Sequence, residues 1–301
     1  SKIGNINNSK KLSNEIFSCK PDIVMHLAAQ ALVVPSYQNP LETFSTNILG
    51  TANLLESIRD VSSIKSCLIM TSDKAYENKE LNYAYTENNP MGGTDPYSAS
   101  KGATELVVSS YKKSFFNEKN SPGIATIRAG NVIGGGDWAN YRLIPDSIKS
   151  LISNQNIILR NPQSTRPWQH VLESLSGFLL VGSKLAKNSK KFSGPWNVGP
   201  SSKNILSVES VVKKIIYQWG SGKIIIKKNN LHEAKLLKLD SSKIFNLMKW
   251  KPTYSFDDGI EKTVDWYLTY YKNKKTIQNF TILQIEDYVK QAQKIKNTWI
   301  K

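Results

Sequence analysis

Apolar and polar positions alternate along the first half of the chain in two periods. Ser9 to Lys20 places Leu12, Ile16 and Phe17 on one face at helical spacing. The short apolar run Asp22 to Ala29 reads as a buried parallel strand. A long helical stretch follows from about Pro40 to Arg59, then a strand over Ser66 to Thr71. A helix is predicted from Tyr97 to about Phe116, with Ala103, Leu106, Val107, Ser110 and Tyr111 on its packed face, and a strand from Gly123 to Arg128. This β-α-β-α-β alternation predicts an α/β fold, a Rossmann-like parallel sheet with helices on both faces. Ligands in such sheets bind at the carboxyl ends of the strands, here at Ala28-Ala29-Gln30, Thr71-Ser72-Asp73 and Ala129-Gly130-Asn131.

Beyond residue 131 the alternation loosens. Ile148 to Ser153, Val208 to Trp219 and Ser241 to Met248 read as helices between short strands and loops, as in a smaller α/β substrate-binding lobe. The predicted organisation is a dinucleotide-binding domain over 1–130 with segments returning near 167–198, a second lobe over 131–280, and a C-terminal helix over 281–301.

The strand ends carry the chemistry. Ser72-Asp73-Lys74 places a hydroxyl, a carboxylate and an amine directly after a strand, and Tyr97 and Lys101, four residues apart, share one helix face. A phenol titrates near 10, and each unit of depression requires about 1.4 kcal/mol. A fixed cation beside it contributes to that depression, which makes Tyr97 a candidate general base with Lys101 as its partner. Tyr-x-x-x-Lys alone is weak; the turn Gly92-Gly93-Thr94-Asp95-Pro96 before it strengthens the reading. Lys74 reads either as an exposed loop amine or as a base, Asp73 as a cap or an acid, and Ser72 as a turn cap or a substrate contact.

Composition adds limits. In 301 residues, 40% are hydrophobic and 21% charged, typical of a globular chain long enough for a sizeable core. The net charge of +16 comes from lysines spread over the whole length, in no stripe and with no nucleic-acid module, so a nucleic-acid role is not favoured. The expectation is a cytoplasmic protein without membrane spans, with Cys19 and Cys67 too few for a disulfide framework. The three histidines lack zinc spacing, and no metal is expected; His26, within a strand, reads as a satisfied core residue.

The runs Thr71 to Asn78, Gly92 to Gly102 and Arg128 to Trp138 resemble those of the CDP-glucose 4,6-dehydratases, extended short-chain dehydrogenase/reductases acting on nucleotide sugars. The resemblance continues through Arg142 to Asp146, Arg160-Asn161-Pro162, Thr165 to Val171, Trp196 to Pro200 and His232-Glu233-Ala234, and fades in the last part of the chain. It implies conversion of CDP-glucose to CDP-4-keto-6-deoxyglucose, a lyase reaction of deoxysugar and polysaccharide biosynthesis. It also implies NAD as cofactor, a nucleotide sugar as substrate and a homodimer.

The same resemblance assigns catalysis to Ser72, Asp73, Lys74, Tyr97 and Lys101. NAD contacts fall to Asn5, Ile6, Ala28, Ala29, Gln30, Asn47 and Thr51, with Tyr97 and Lys101. Substrate contacts fall to Asn131, Arg142, Leu143, Ile144, Arg160, Arg166, Asn197 and His232; Arg166 in Arg-Pro-Trp equally suits a structural ion pair. Lys74 stands where the dTDP-glucose branch has Glu, which points to the CDP-glucose branch. Three positions depart from the family pattern. Asn5 replaces its usual Asp, and Lys235-Leu236 replaces a His-Tyr pair, which puts an adenine contact and a base contact in question. No glycine-rich dinucleotide loop occurs near residue 1. The resemblance places two strands, two helices and that loop ahead of it, so the 301 residues alone are expected to bind NAD poorly. The alternatives are another nucleotide-sugar dehydratase or 4-epimerase, or an inactive fragment.

Overall fold

The computed structural model describes residues 1–80, 82–200, 205–227 and 236–300. In chain order come α1 (Ser9–Cys19), β1 (Ile23–His26), α2 (Val33–Gln38), α3 (Pro40–Phe44), a π-helical turn (Ser45–Leu49), α4 (Gly50–Ile58) and β2 (Ser66–Met70). A 3₁₀ turn (Asp73–Ala75), α5 (Pro96–Phe115), β3 (Gly123–Ala129), β4 (Asn131–Ile133), α6 (Leu143–Ile152), β5 (Ile157–Leu159) and β6 (Thr165–His170) follow. Then come α7 (Val171–Lys187), α8 (Ser189–Phe192), β7 (Gly194–Val198), β8 (Ile205–Ser207), α9 (Val208–Trp219) and β9 (Ile224–Ile226). Last are α10 (Ser242–Met248), α11 (Phe256–Lys272), a second 3₁₀ turn (Lys274–Thr276) and α12 (Ile277–Lys294).

The chain divides into two compact units. The first comprises Ser1–Lys79, Tyr85–Ala129 and Phe178–Val198. Its sheet runs β1-β2-β3-β7, every pair parallel. β2 and β3 are buried and mostly apolar, as in strands covered on both faces, with Thr126 and Arg128 the polar exceptions on β3. Leu54, Leu55 and Ile58 of α4 and Val108 of α5 pack with Cys67, Ile69 and Ile124 of the sheet. β1 departs from the expected buried strand: Ile23 and Met25 are exposed, because this is the sheet edge and β2 is its one partner among the described residues.

The expected helix over Pro40 to Arg59 is interrupted by the π turn. There the carbonyl of Asn47 accepts the hydroxyls of Thr51 (2.7 Å) and Thr104 (3.0 Å). Helix α5 also turns differently from expectation. Its buried residues are Ser98, Ser100, Lys101, Gly102, Thr104, Glu105 and Val108, while Leu106 is 64% exposed. A polar face is buried because β2, β3 and the π turn supply it with hydrogen-bond partners.

The second unit comprises Glu80–Ala84, Gly130–Gly177 and Gly199–Lys301. Its core gathers Ile144, Ile148 and Leu151 of α6, Val211, Val212 and Ile215 of α9, and Ile260, Val264 and Tyr267 of α11. Strand β6 lies here, parallel to β4 and antiparallel to β8; the chain re-enters the first unit at Phe178, within α7, and the first sheet at Gly194. Helix α6 begins at Leu143, five residues before the expected Ile148, since Pro145 in a first turn does not interrupt a helix. The C-terminal helix begins at Ile277 and not at 281, and it belongs to this unit, where the Tyr288 hydroxyl reaches Glu173 at 3.1 Å.

Candidate active site

The predicted catalytic residues all lie in the first unit. β2 ends at Met70; Thr71 extends it with a bond to the Ile127 carbonyl (2.9 Å), and Ser72 then caps the 3₁₀ turn, accepting from the Lys74 amide at 3.2 Å. The Ser72 hydroxyl donates to Asp73 at 3.1 Å, and both residues are buried while Lys74 is half-buried. So Ser72 caps a turn just beyond the carboxyl end of β2.

Helix α5 starts as its sequence dictates. Asp95 caps it, accepting from the Ser98 amide (2.9 Å) and hydroxyl (2.6 Å), with Pro96 at the first helical position. Gly93 precedes it at φ +144°, where a Cβ would lie 2.4 Å from the Ala99 nitrogen. One turn on, Gly102 lets the helix approach the 3₁₀ turn; a Cβ there would sit 2.7 Å from the Gly92 carbonyl and 3.1 Å from that of Ala75. Tyr97 is half-buried and its amide bonds the Ser36 hydroxyl at 3.1 Å.

The Lys101 ammonium is buried and donates to the Met70 carbonyl at 3.3 Å. Burial pushes its pKa down to about 8, opposed by the nearby Glu105 carboxylate. His26 donates to Thr51, because the Thr51 proton is already given to Asn47. Burial, aided by the Lys101 charge, brings the His26 pKa down to about 4, so it is neutral and satisfied within the fold.

The expected cofactor residues divide. Ala28 and Ala29 stand at the carboxyl end of β1, Ala28 exposed and Ala29 half-buried. Asn47 and Thr51 also brace the fold internally. The Asn47 amide accepts from the Gln30 amide (2.9 Å) and donates to the Gln30 carbonyl (3.0 Å) and the Ser100 hydroxyl (2.8 Å). Gln30 is held in turn by Leu32 and Thr43 through its side chain. Asn5 accepts from the Asn7 amide at 2.9 Å, and the Ile6 carbonyl from Asn53 at 3.2 Å. These residues fit a nicotinamide dinucleotide: small side chains at the end of β1, and a buried cation at the end of the adjacent β2.

The expected substrate residues divide as well. Asn197 lies inside the first unit. It is fully buried, its amide oxygen accepting from the Tyr76 hydroxyl (2.6 Å) and its nitrogen donating to the Tyr85 carbonyl (2.8 Å), so it braces the first unit. The Ile144 side chain lies in the second unit's core. In that unit Asn131 opens β4 half-buried, Leu143 packs at the core's edge, and Arg160 is exposed beyond β5. Arg142 pairs with Asp137 at 2.9 Å, and buried Arg166 donates to the Thr165 carbonyl at 2.9 Å. His232 and Lys235 lie outside the described residues. Among the described residues, no group of His, Cys, Asp and Glu could hold a metal ion.

Sequence reasoning missed the polar network behind the site. Glu105 accepts from Thr71 (2.5 Å), Thr126 (2.8 Å) and both Nε (2.9 Å) and Nη2 (2.8 Å) of Arg128. Arg128 also donates to the Tyr76 hydroxyl at 2.9 Å. The signal was present: two charged residues, one on a helix four positions after Lys101 and one on an all-buried strand, require each other.

A parallel sheet with a Ser-Asp-Lys turn at one strand end and a Tyr-x-x-x-Lys helix beside it defines a short-chain dehydrogenase/reductase of the Rossmann type. Residues 2–263 match the family described as GDP-mannose 4,6 dehydratase, and the chain belongs to this family of nucleotide-sugar 4,6-dehydratases. It is 48% identical over 273 residues to the CDP-glucose 4,6-dehydratase of Salmonella typhimurium, covering 89% of this chain and 76% of that one. It is 28% identical to the dTDP-D-glucose 4,6-dehydratase of Dictyostelium discoideum, over 88% of this chain and 68% of that one. The fold is that of the dTDP-glucose 4,6-dehydratase of Streptomyces venezuelae, solved with NAD, at TM-score 0.78 and 22% identity, covering 92% and 81% of the two chains.

Proposed function

We infer that this chain acts as a CDP-glucose 4,6-dehydratase, a lyase that works with NAD. The observation that carries the reading is the Lys101 ammonium bonded to the Met70 carbonyl, at the strand end from which Ser72, Asp73 and Lys74 continue. The 48% identity to a CDP-glucose 4,6-dehydratase supports the substrate. NAD, when bound, accepts the hydride of C4 and restores it at C6.

The chain's own residues move the protons. Tyr97 takes the proton of the C4 hydroxyl, and Lys101 stabilises the phenolate that does so. Ser72 holds O4. The C4 ketone acidifies C5, whose proton goes to Lys74, while Asp73 gives a proton to the C6 hydroxyl, which leaves as water. Lys74 returns its proton to C5, the proton taken by Tyr97 passes to solvent while Asp73 regains one from it, and the net change is the loss of one water. Ala28, Ala29 and Lys101 hold the nicotinamide half of the cofactor. Arg142, Arg160 and Arg166 supply cationic groups suited to a diphosphate.

The protein works as a homodimer in the cytoplasm. Leu41, Leu49 and Leu106 stand exposed on α3, the π turn and α5, which pack beside one another, and this supports self-association. Unpaired Cys19 and Cys67 fit a reducing compartment. No described helix is long and apolar enough to cross a membrane.

The test is incubation of the full-length protein with CDP-glucose and NAD+, with parallel arms of dTDP-glucose, UDP-glucose and GDP-mannose. A 4-keto product absorbing in base, formed fastest from CDP-glucose, is expected. Conversion to CDP-galactose would mark a 4-epimerase, which needs Tyr97 and Lys101 but not Asp73 and Lys74.

A further inference from the structure

We propose that Glu105 and Arg128 are positioning residues that clamp the Ser72–Ala75 turn at both ends, acting through Thr71 and Tyr76, and so set the geometry of the elimination step. The proposal rests on the dehydratase reading above, since it assigns the clamp to the half of the site that removes water.

Thr71 immediately precedes the turn and donates its hydroxyl to Glu105 at 2.5 Å. Tyr76 immediately follows the turn and receives Nη1 of Arg128 at 2.9 Å, with the guanidinium over its ring at 4.8 Å. The two anchors therefore end on a single buried ion pair, whose partners are 5% and 4% exposed. The pair joins three elements. Glu105 lies on α5 one turn after Lys101, and Arg128 lies on β3 with Thr126, which donates to the same carboxylate at 2.8 Å. Tyr76 passes its own proton to Asn197 of β7 at 2.6 Å, and the Asn197 amide donates to Glu87 at 2.8 Å.

Four donors fill the acceptor sites of Glu105, so the carboxylate has one orientation. The fork of Arg128 fixes the plane of the pair. The helix bearing Tyr97 and Lys101 and the turn bearing Ser72, Asp73 and Lys74 thus share one rigid reference. Between its anchors the turn is held by long bonds of its own, Ala75 amide to Ser72 carbonyl at 3.2 Å and Tyr76 amide to Asp73 carbonyl at 3.4 Å, by the Ser72 cap on the Lys74 amide at 3.2 Å, and by the Gly92 amide on the Ala75 carbonyl at 2.9 Å. The clamp adds to these bonds in fixing Asp73 and Lys74 relative to a bound sugar. A displacement of about 1 Å in such a group costs on the order of a hundredfold in rate.

The test uses full-length Tyr76→Phe and Thr71→Val, each removing one hydroxyl while preserving shape, beside the unsubstituted protein. Amide hydrogen exchange is read first and needs no substrate. Exchange at Ala75 and Tyr76 should quicken by about tenfold in both variants while the β2 amides stay protected. Turnover is read second. In Tyr76→Phe, kcat should fall by roughly ten- to a hundredfold, with KM within about twofold, and the absorbance of reduced nicotinamide should rise because C4 oxidation outruns elimination. Unchanged exchange in both variants, or a fall in kcat without that absorbance, would overturn the clamp. Failure of the unsubstituted protein to consume CDP-glucose would sink the dehydratase reading, and the exchange result would still decide whether the clamp holds the turn.

Discussion

The buried ammonium of Lys101 donates to the carbonyl of Met70, the last residue of β2, two positions before Ser72. This contact ties the Tyr-x-x-x-Lys helix to the strand that delivers the Ser-Asp-Lys turn. It also removes the amine from solvent, so its charge is lost at an unusually low pH.

With the Lys101 pKa held down to about 8 by burial, the cation that supports the Tyr97 phenolate is present below that pH and disappears above it. The pH profile of kcat should therefore bend downward near pH 8. In Lys101→Met the bend should vanish, leaving a rate about a hundredfold lower that climbs with pH toward the unassisted phenol near 10. An unchanged alkaline limb in that variant would show that another group titrates there.

Tyr97→Phe should reduce kcat by about a hundred- to ten-thousandfold, the range for loss of a general base. KM should change little, and the melting temperature should stay close to that of the unsubstituted protein. Steady-state rates together with a thermal melt check this. A comparable loss in folded fraction would reassign the residue to structure.

The Glu105–Arg128 pair predicts a strong asymmetry between single and double substitution. Arg128→Met leaves a buried carboxylate without its cation and should destabilise by about 3–5 kcal/mol. The double variant Glu105→Leu/Arg128→Met should cost clearly less than the sum of the two single changes. Urea unfolding of the four proteins measures the coupling, and additive losses would contradict a shared buried pair.

In the second unit, Glu173 accepts the amides of Thr253 (3.0 Å) and Tyr254 (2.6 Å) and the hydroxyl of Tyr288 (3.1 Å), yet burial pushes its pKa up from 4.5 to about 7. A carboxyl raised on folding contributes stability fully present below about 4.5 and lost as pH rises through about 7. His170, pushed down to about 4 by burial, acts in the opposite direction as pH rises toward 6.5, so the net curve conceals both. The stability of the protein minus that of Glu173→Gln isolates the first effect. It should fall by up to about 3 kcal/mol between those limits, and a flat difference would contradict it.

Much of this site was legible because its parts are local. Ser72-Asp73-Lys74 and Tyr97-x-x-x-Lys101 are short runs, and the β-α-β alternation placed them at strand ends. What sequence did not reveal depends on partners distant in the chain. Leu106 looks like core by composition, yet α5 turns it outward because Lys101, Thr104 and Glu105 find partners on β2, β3 and the π turn. Asn47 and Asn197 carry the right chemistry for ligands, but their amides are engaged internally with Gln30, Ser100, Tyr76 and Tyr85. Such pairings join segments far apart in the chain, which no single stretch of sequence encodes.

The central claim is that one site oxidises C4, removes water across C5 and C6, and restores the hydrogen within the same turnover. Full-length protein given CDP-glucose deuterated at C4, in ordinary water with NAD+, tests it most directly by mass and nuclear magnetic resonance analysis of the product. The account predicts a 4-keto-6-deoxy sugar with deuterium at C6. Deuterium retained at C4 of an epimerised hexose, or no deuterium in a 4-keto-6-deoxy product, would contradict it.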